Sequence, residues 1–152
     1  MILNQCNPEY KNLLLAPSKL SFNDFGCTTC AIKTGIEKIT NKILTLKEVM
    51  DCIVYNKDGL IVWKACNWKK LGVRFVWRFY RKPNLTDFPV MLSDDYFSVL
   101  QINNFSHWVL WVNGGKVTTV SDSWAKTEKA KYGYTHTINN NKINGFALFC
   151  KI

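Results

Sequence analysis

Histidine is almost missing from this chain: two residues in 152, His107 and His136. Chemistry that needs an imidazole is therefore confined to two positions. No apolar run approaches the roughly 20 residues that span a bilayer, so no membrane-spanning helix is expected. The opening residues Met1-Ile-Leu-Asn-Gln-Cys-Asn-Pro8 contain no basic stretch followed by an apolar one, so no signal peptide is read and folding in a cytoplasm is expected. No repeat, low-complexity tract or Pro/Gly/Ser linker interrupts the chain, which points to one domain over residues 1–152. Cys27-Thr-Thr-Cys30 has no second Cys-x-x-Cys or His-x-x-x-His to complete a structural zinc site. It also lacks the βαβ setting of a thioredoxin-like redox pair. No metal or redox cofactor is expected at this pair.

Apolar residues are plentiful. They make up 47% of the chain, with six Trp, nine Phe and six Tyr, which excludes a disordered chain and supplies a real core. Acidic residues are outnumbered 11 to 20 by Lys and Arg, and the net charge of +9 favours polyanionic partners: nucleic acid, anionic lipid or a bacterial wall. Six cysteines without a secretory signal read as thiols rather than a disulfide framework.

The pattern changes along the chain. Residues 1–26 read as an extended arm with turns at Asn7-Pro8 and Pro17-Ser18. Residues 27–40 read as a helix, with Ile32, Ile36, Ile39 and Ile43 on one face and Cys27, Ala31, Thr34 and Gly35 on another. Thr45 with Glu48 forms a capping box for a second helix from Leu46 to about Val54. After a turn at Asn56–Gly59 come the apolar run Leu60–Trp63 and a short helix or turn to Gly72. From Val73 the period becomes two, with Val73, Phe75, Trp77 and Phe79 on one side and Arg74, Val76, Arg78 and Tyr80 on the other. Pro83 ends that strand.

Further strands are expected at 95–102, 105–113, 116–122 and 143–151, with a hairpin turn at Asn113-Gly114-Gly115. Residues 125–142, polar and rich in Lys and Asn, read as a mobile connection. Helices first and antiparallel strands after give an α+β domain.

Cys27 follows Gly26 at the start of the first helix, where the helix dipole stabilises a thiolate. His107 begins a strand, and Asp122 ends the strand across the expected hairpin. Nucleophile, imidazole and orienting acid then fall in the chain order Cys27, His107, Asp122. Each has a plainer reading. A cysteine is commonly an inert buried thiol, a strand histidine can be a core residue, and an aspartate can serve the following turn. Cys30 reads as a small filler one turn along, and His136 as a solvated surface residue.

These segments resemble, in order, the papain-like cysteine peptidases of the double-glycine leader peptidase type, in their short phage and bacterial forms. Asn4-Gln5-Cys6-Asn7-Pro8-Glu9-Tyr10 is similar to the opening Ser-Gln-x-Asp-Pro-Arg-Trp of that family. Phe25-Gly26-Cys27-Thr28-Thr29-Cys30-Ala31 is similar to its nucleophile motif. Leu46-Lys47-Glu48-Val49 and Leu60–Trp63 resemble the intervening helix and aromatic turn. Ser106-His107-Trp108-Val109-Leu110 resembles the histidine strand, and Val120-Ser121-Asp122-Ser123-Trp124 the Asp-Pro-Trp motif of the acid. The match runs over about residues 4–124, with Asn7 in place of Asp and Ser123 in place of Pro.

The resemblance implies a minimal papain-like fold and amide hydrolysis through a Cys27–His107–Asp122 triad. It offers Gln5, or alternatively Asn23, as the oxyanion donor. It implies a peptide substrate. The absence of transporter segments and the positive charge turn the expectation toward peptide cross-links of a bacterial cell wall (peptidoglycan). The protein would reach it within a phage virion, at lysis or by another export route. The alternatives are a protein- or leader-processing peptidase and a non-enzymatic virion component. A nucleic-acid-binding module is a further one, built on Arg74, Arg78, Arg81 and Lys82 beside Trp77, Phe79 and Tyr80, although an ordinary strand with one solvated basic face is the favoured reading of that segment.

Overall fold

A computed structural model of the chain describes residues 3–114, 117–124 and 134–152. Short helices α1 (Phe22–Phe25), α3 (Leu46–Met50) and α4 (Phe88–Met91) accompany one long helix, α2 (Cys27–Thr40). Strands β1 (Val73–Phe79), β2 (Tyr96–Ile102), β3 (His107–Asn113), β4 (Val117–Asp122), β5 (Tyr134–Asn139) and β6 (Ile143–Lys151) form one sheet. Its order is β1-β6-β2-β3-β4-β5, and every neighbouring pair is antiparallel. Helices and an antiparallel sheet make the α+β class expected from the sequence. Among the described residues no helix is long and apolar enough to cross a membrane.

The sheet is buried on both faces, which is why its central strands read as nearly continuous apolar runs. On one face α2 sets Ile32 and Ile36 against Phe97, Val99, Leu110 and Phe149. On the other, Leu100, Ile102, Val109, Trp111, Val120 and Phe146 gather with Met91 of α4. Each such side chain, fully removed from water, contributes about 1.5–3 kcal/mol before the entropy of ordering is set against it.

Gly35 sits where α2 approaches β2 most closely. A Cβ there would collide with the Phe97 ring, so the residue's lack of a side chain sets the helix-to-sheet distance. The helix stops because Asn41 takes a left-handed conformation (φ 56°). Ile43 therefore falls outside α2 and is 97% exposed, against the expectation that it continues the buried isoleucine face. The Thr45–Glu48 capping box is present, and the helix it starts ends at Met50 rather than near Val54.

Three further expectations are corrected. The arm over residues 1–26 contains α1 and a 3-10 turn at Pro8–Tyr10. Residues 134–139 of the supposed connection are the edge strand β5; residues 125–133 lie outside the described set, as do 115 and 116 of the hairpin turn. The alternation in β1 breaks at a bulge between Phe75 and Trp77. Beyond it the faces exchange, as an extra residue requires. Trp77 is 51% exposed, whereas Arg78 is turned inward at 9%.

Candidate functional site

The site is assembled where the start of α2 meets the near ends of β3 and β4. Ser21 caps α1 by accepting the Asp24 N–H, and Gly26 joins that turn to α2. A Cβ on Gly26 would lie 2.5 Å from the Phe22 carbonyl oxygen and 2.7 Å from its ring. The glycine before Cys27 is thus a requirement of space. Cys27 becomes the first residue of α2, among backbone N–H groups that have no partner within the helix. It is buried, yet it lines a cleft of about 410 Å³.

His107 is the first residue of β3. The turn before it places Asn103, Asn104 and Phe105 at φ 53°, 56° and 64°. Asparagine tolerates this region, while Phe105 sits there at a cost of about 1 kcal/mol. Three hydrogen bonds hold the turn. Asn144 Oδ1 accepts the Phe105 N–H (3.0 Å), Gln101 Nε2 donates to the Phe105 carbonyl (3.1 Å), and Ser106 Oγ donates to the Asn103 carbonyl (2.6 Å).

Asp122, at the end of β4, lies 2.7 Å through Oδ1 from His107 Nε2. The Trp124 N–H donates to the same oxygen at 2.9 Å. The Trp124 ring stands edge-on to His107, with centroids 6.1 Å apart. Cys27 neighbours the imidazole and acts on it through its side chain and charge. With Nε2 taken by Asp122, Nδ1 is the ring nitrogen left for the sulfur.

Burial pulls the His107 pKa down, but the hydrogen bond from Asp122, then that from Cys27, together with both charges, outweigh it and raise the value from 6.5 to about 10. Burial pushes Asp122 up, and the His107 hydrogen bond and charge, the Trp124 N–H and His136 turn the net shift downward. These directions favour His107 as an imidazolium beside the Asp122 carboxylate.

The structure thus gathers Cys27, His107 and Asp122, and it adds a residue the sequence reading left on the surface. His136 Nε2 is 3.1 Å from Asp122 Oδ2, and Tyr134 stacks on the His136 ring at 4.7 Å. Asp122 therefore serves two histidines, one per oxygen. The signal for His136 was present in the sequence as a Tyr-Thr-His-Thr-Ile alternation, masked by the polar surroundings.

Gln5 is fully buried. Its Oε1 accepts from Ser123 Oγ at 2.7 Å, and its Nε2 donates to the Asn23 carbonyl at 3.1 Å. Asn23 Nδ2 makes a long bond of 3.4 Å to the Asn7 carbonyl, and its Oδ1 is buried with no hydrogen-bond partner among the described residues. Cys30 is one turn deeper than Cys27. Burial pushes its thiol well up, and the charge of Cys27 pushes in the same direction, so it is a poor thiolate.

Among the described residues no group of three His, Cys, Asp or Glu side chains gathers to hold a metal ion. The basic aromatic stretch is dispersed: Arg78 turns inward between Tyr80 and Trp108, and Arg81 pairs with Asp87 at 2.6 Å. Comparison with protein-family models, curated proteins and solved structures gave no match.

Proposed function

We propose that this chain is a papain-like cysteine hydrolase that cleaves an amide bond, with Cys27 as nucleophile, His107 as proton carrier and Asp122 as the group that orients it. The observation that carries this reading is the imidazole of His107 held between the Asp122 carboxylate and the Cys27 thiol at the first turn of a long helix. The sulfur, its proton already held on His107 Nδ1, attacks the substrate carbonyl. Collapse of the tetrahedral intermediate expels an amine that takes that proton, leaving an acyl-thioester. Water, deprotonated by the same imidazole, then hydrolyses the thioester and restores Cys27.

First-turn N–H groups of α2 and one side-chain amide receive the oxyanion. Gln5 is the side chain we assign. Ser123 pins its acceptor end, so its amide nitrogen faces the α1–α2 junction at Asn23, and one of its two N–H groups remains for the substrate.

For the substrate class, a net charge of +9 would concentrate the protein on an anionic wall polymer, and peptides of bacterial peptidoglycan supply amide bonds there. The test is release of new amino termini from purified peptidoglycan by the wild type and by Cys27→Ala, at low and high salt. Release that depends on Cys27 and falls with salt is the expected result. Cleavage of proteins or leader peptides with none from several wall types would replace the wall by a processing substrate. Loss of no activity in Cys27→Ala would sink the mechanism itself.

A further inference from the structure

The Cys27 cleft has two walls of opposite charge. One carries Asp24 and Asp58, from the segments around the start of α2 and the turn at Asn56–Gly59; the other includes Arg78, Tyr80, Gln101, Phe105 and Trp108. Arg78 is the cation of that second wall, and its setting is unusual. It is 9% exposed, and its guanidinium lies 4.4 Å from the Tyr80 ring centroid and 4.7 Å from that of Trp108. Among the described residues it makes no ion pair with any carboxylate. Its hydrogen bonds among the described residues go to neutral oxygens, the Phe79 carbonyl and Gln101 Oε1.

A charge withdrawn from water usually has a counter-charge beside it, because removing an ion from water costs far more than one neutral hydrogen bond returns. Here burial lowers the Arg78 pKa, and only the Tyr80 phenol, not a carboxylate, opposes it. The guanidinium has five N–H donors, and its neutral partners occupy only some of them. Arg78 lines the cleft with N–H groups beyond the two that these bonds use, on a planar group whose chemistry suits a carboxylate.

We propose that Arg78 is the subsite for a substrate carboxylate, so that the peptide cleaved at Cys27 carries a free carboxylate on the β1–β3 side of the scissile bond. This rests on the hydrolase reading and adds its substrate class: an acidic peptide, oriented with its anionic group at Arg78 and any amine toward Asp24 and Asp58. The bulge in β1 is what makes the subsite, since a regular strand would turn residue 78 to the opposite face.

The probes are N-iodoacetyl-glutamate and N-iodoacetyl-glutamine, which differ in one charge and alkylate a thiolate. Saturation kinetics of Cys27 alkylation are measured for the folded wild type, Arg78→Gln and Arg78→Lys, with the modified residue mapped by mass. The wild type should bind the glutamate probe roughly tenfold more tightly than the glutamine probe, at a similar maximal rate. Arg78→Gln should remove that preference while still alkylating Cys27, and Arg78→Lys should keep its sign at reduced size, because an ammonium lacks the fork. Equal binding of the two probes by the wild type overturns the subsite, whatever the variants do. An undiminished preference in Arg78→Gln or Arg78→Lys overturns it too, and a purely bracing role for Arg78 would weaken both probes equally. Failure of either probe to modify Cys27 would instead count against the nucleophile, which separates the two claims. If Arg78→Gln does not fold, the wild-type and Arg78→Lys measurements decide.

Discussion

Ser123 Oγ donates a 2.7 Å hydrogen bond to Gln5 Oε1, and the Gln5 backbone N–H answers with a 3.1 Å bond to the Ser123 carbonyl. These two bonds tie the first segment of the chain to the residue after the acid of the site. Ser123→Ala leaves Gln5 Oε1 buried and unpaired, at a cost of about 1–3 kcal/mol. Urea unfolding should show a lower midpoint with an unchanged slope. If the hydrolase reading holds, turnover should fall as well.

The six thiols should separate by reactivity. Brief treatment of the native protein with iodoacetamide, followed by mass mapping, should find Cys27 modified first. Cys30 should stay protected, because burial and the neighbouring Cys27 push its thiol up. Burial likewise raises Cys52 and Cys66. Labelling of Cys6, Cys30 or Cys66 ahead of Cys27 would rule out Cys27 as the activated thiol.

The pair of His107 and Asp122 fixes how stability varies with pH. The His107 pKa is raised on folding, so its contribution is full below 6.5 and is lost as pH rises through about 10. The Asp122 pKa is lowered, so its contribution is full above 3.8 and is lost as pH falls through the depressed folded value. A stability plateau at mildly acidic to neutral pH follows, with losses on either side. Denaturant midpoints across pH should show it in the wild type. Asp122→Asn should flatten both limbs.

His136→Ala tests the second tether on Asp122. The His136 side chain is 29% exposed, so its bond is worth about 0.5–1 kcal/mol. Asp122 keeps its bonds to His107 and Trp124 in that variant. If the hydrolase reading holds, turnover should fall several-fold with KM nearly unchanged, and Asp122→Ala should lower it much further. Equal effects of the two variants would contradict an orienting role shared in this way.

Gly35→Ala probes the packing beneath the site. The added methyl meets the Phe97 ring, and forcing extra volume into a filled core costs about 1–3 kcal/mol. The thermal midpoint should drop, and Gly35→Ala combined with Phe97→Leu should recover part of the loss.

Elements defined by continuous burial or by a cap were legible in the sequence. Helix α2 occupies the expected residues 27–40, and β2, β3, β4 and β6 fall within one or two residues of expectation. What stayed hidden depends on pairing between distant segments. Strand β5 lies at the sheet edge and buries only Ile138, so nothing apolar marks it. The bulge in β1 arises from its register with β6, and with it the exchange of Trp77 and Arg78 went unread. Cys27, His107 and Asp122 were legible because their local settings are, whereas His136 entered the site only through β4–β5 pairing, which sets Val120 opposite it.

The place of β6 bears on when the molecule can act. It is the last of the described strands to be synthesised, yet it lies between β1 and β2 and pairs with both. A nascent chain that has already exposed Cys27 still lacks the strand on which β2 is laid, and β2 in turn carries β3 and His107. Closure of the sheet therefore waits for residues near 150, and pairing over such distances is slow compared with helix formation. The thiol therefore waits for its imidazole until β6 has joined the sheet.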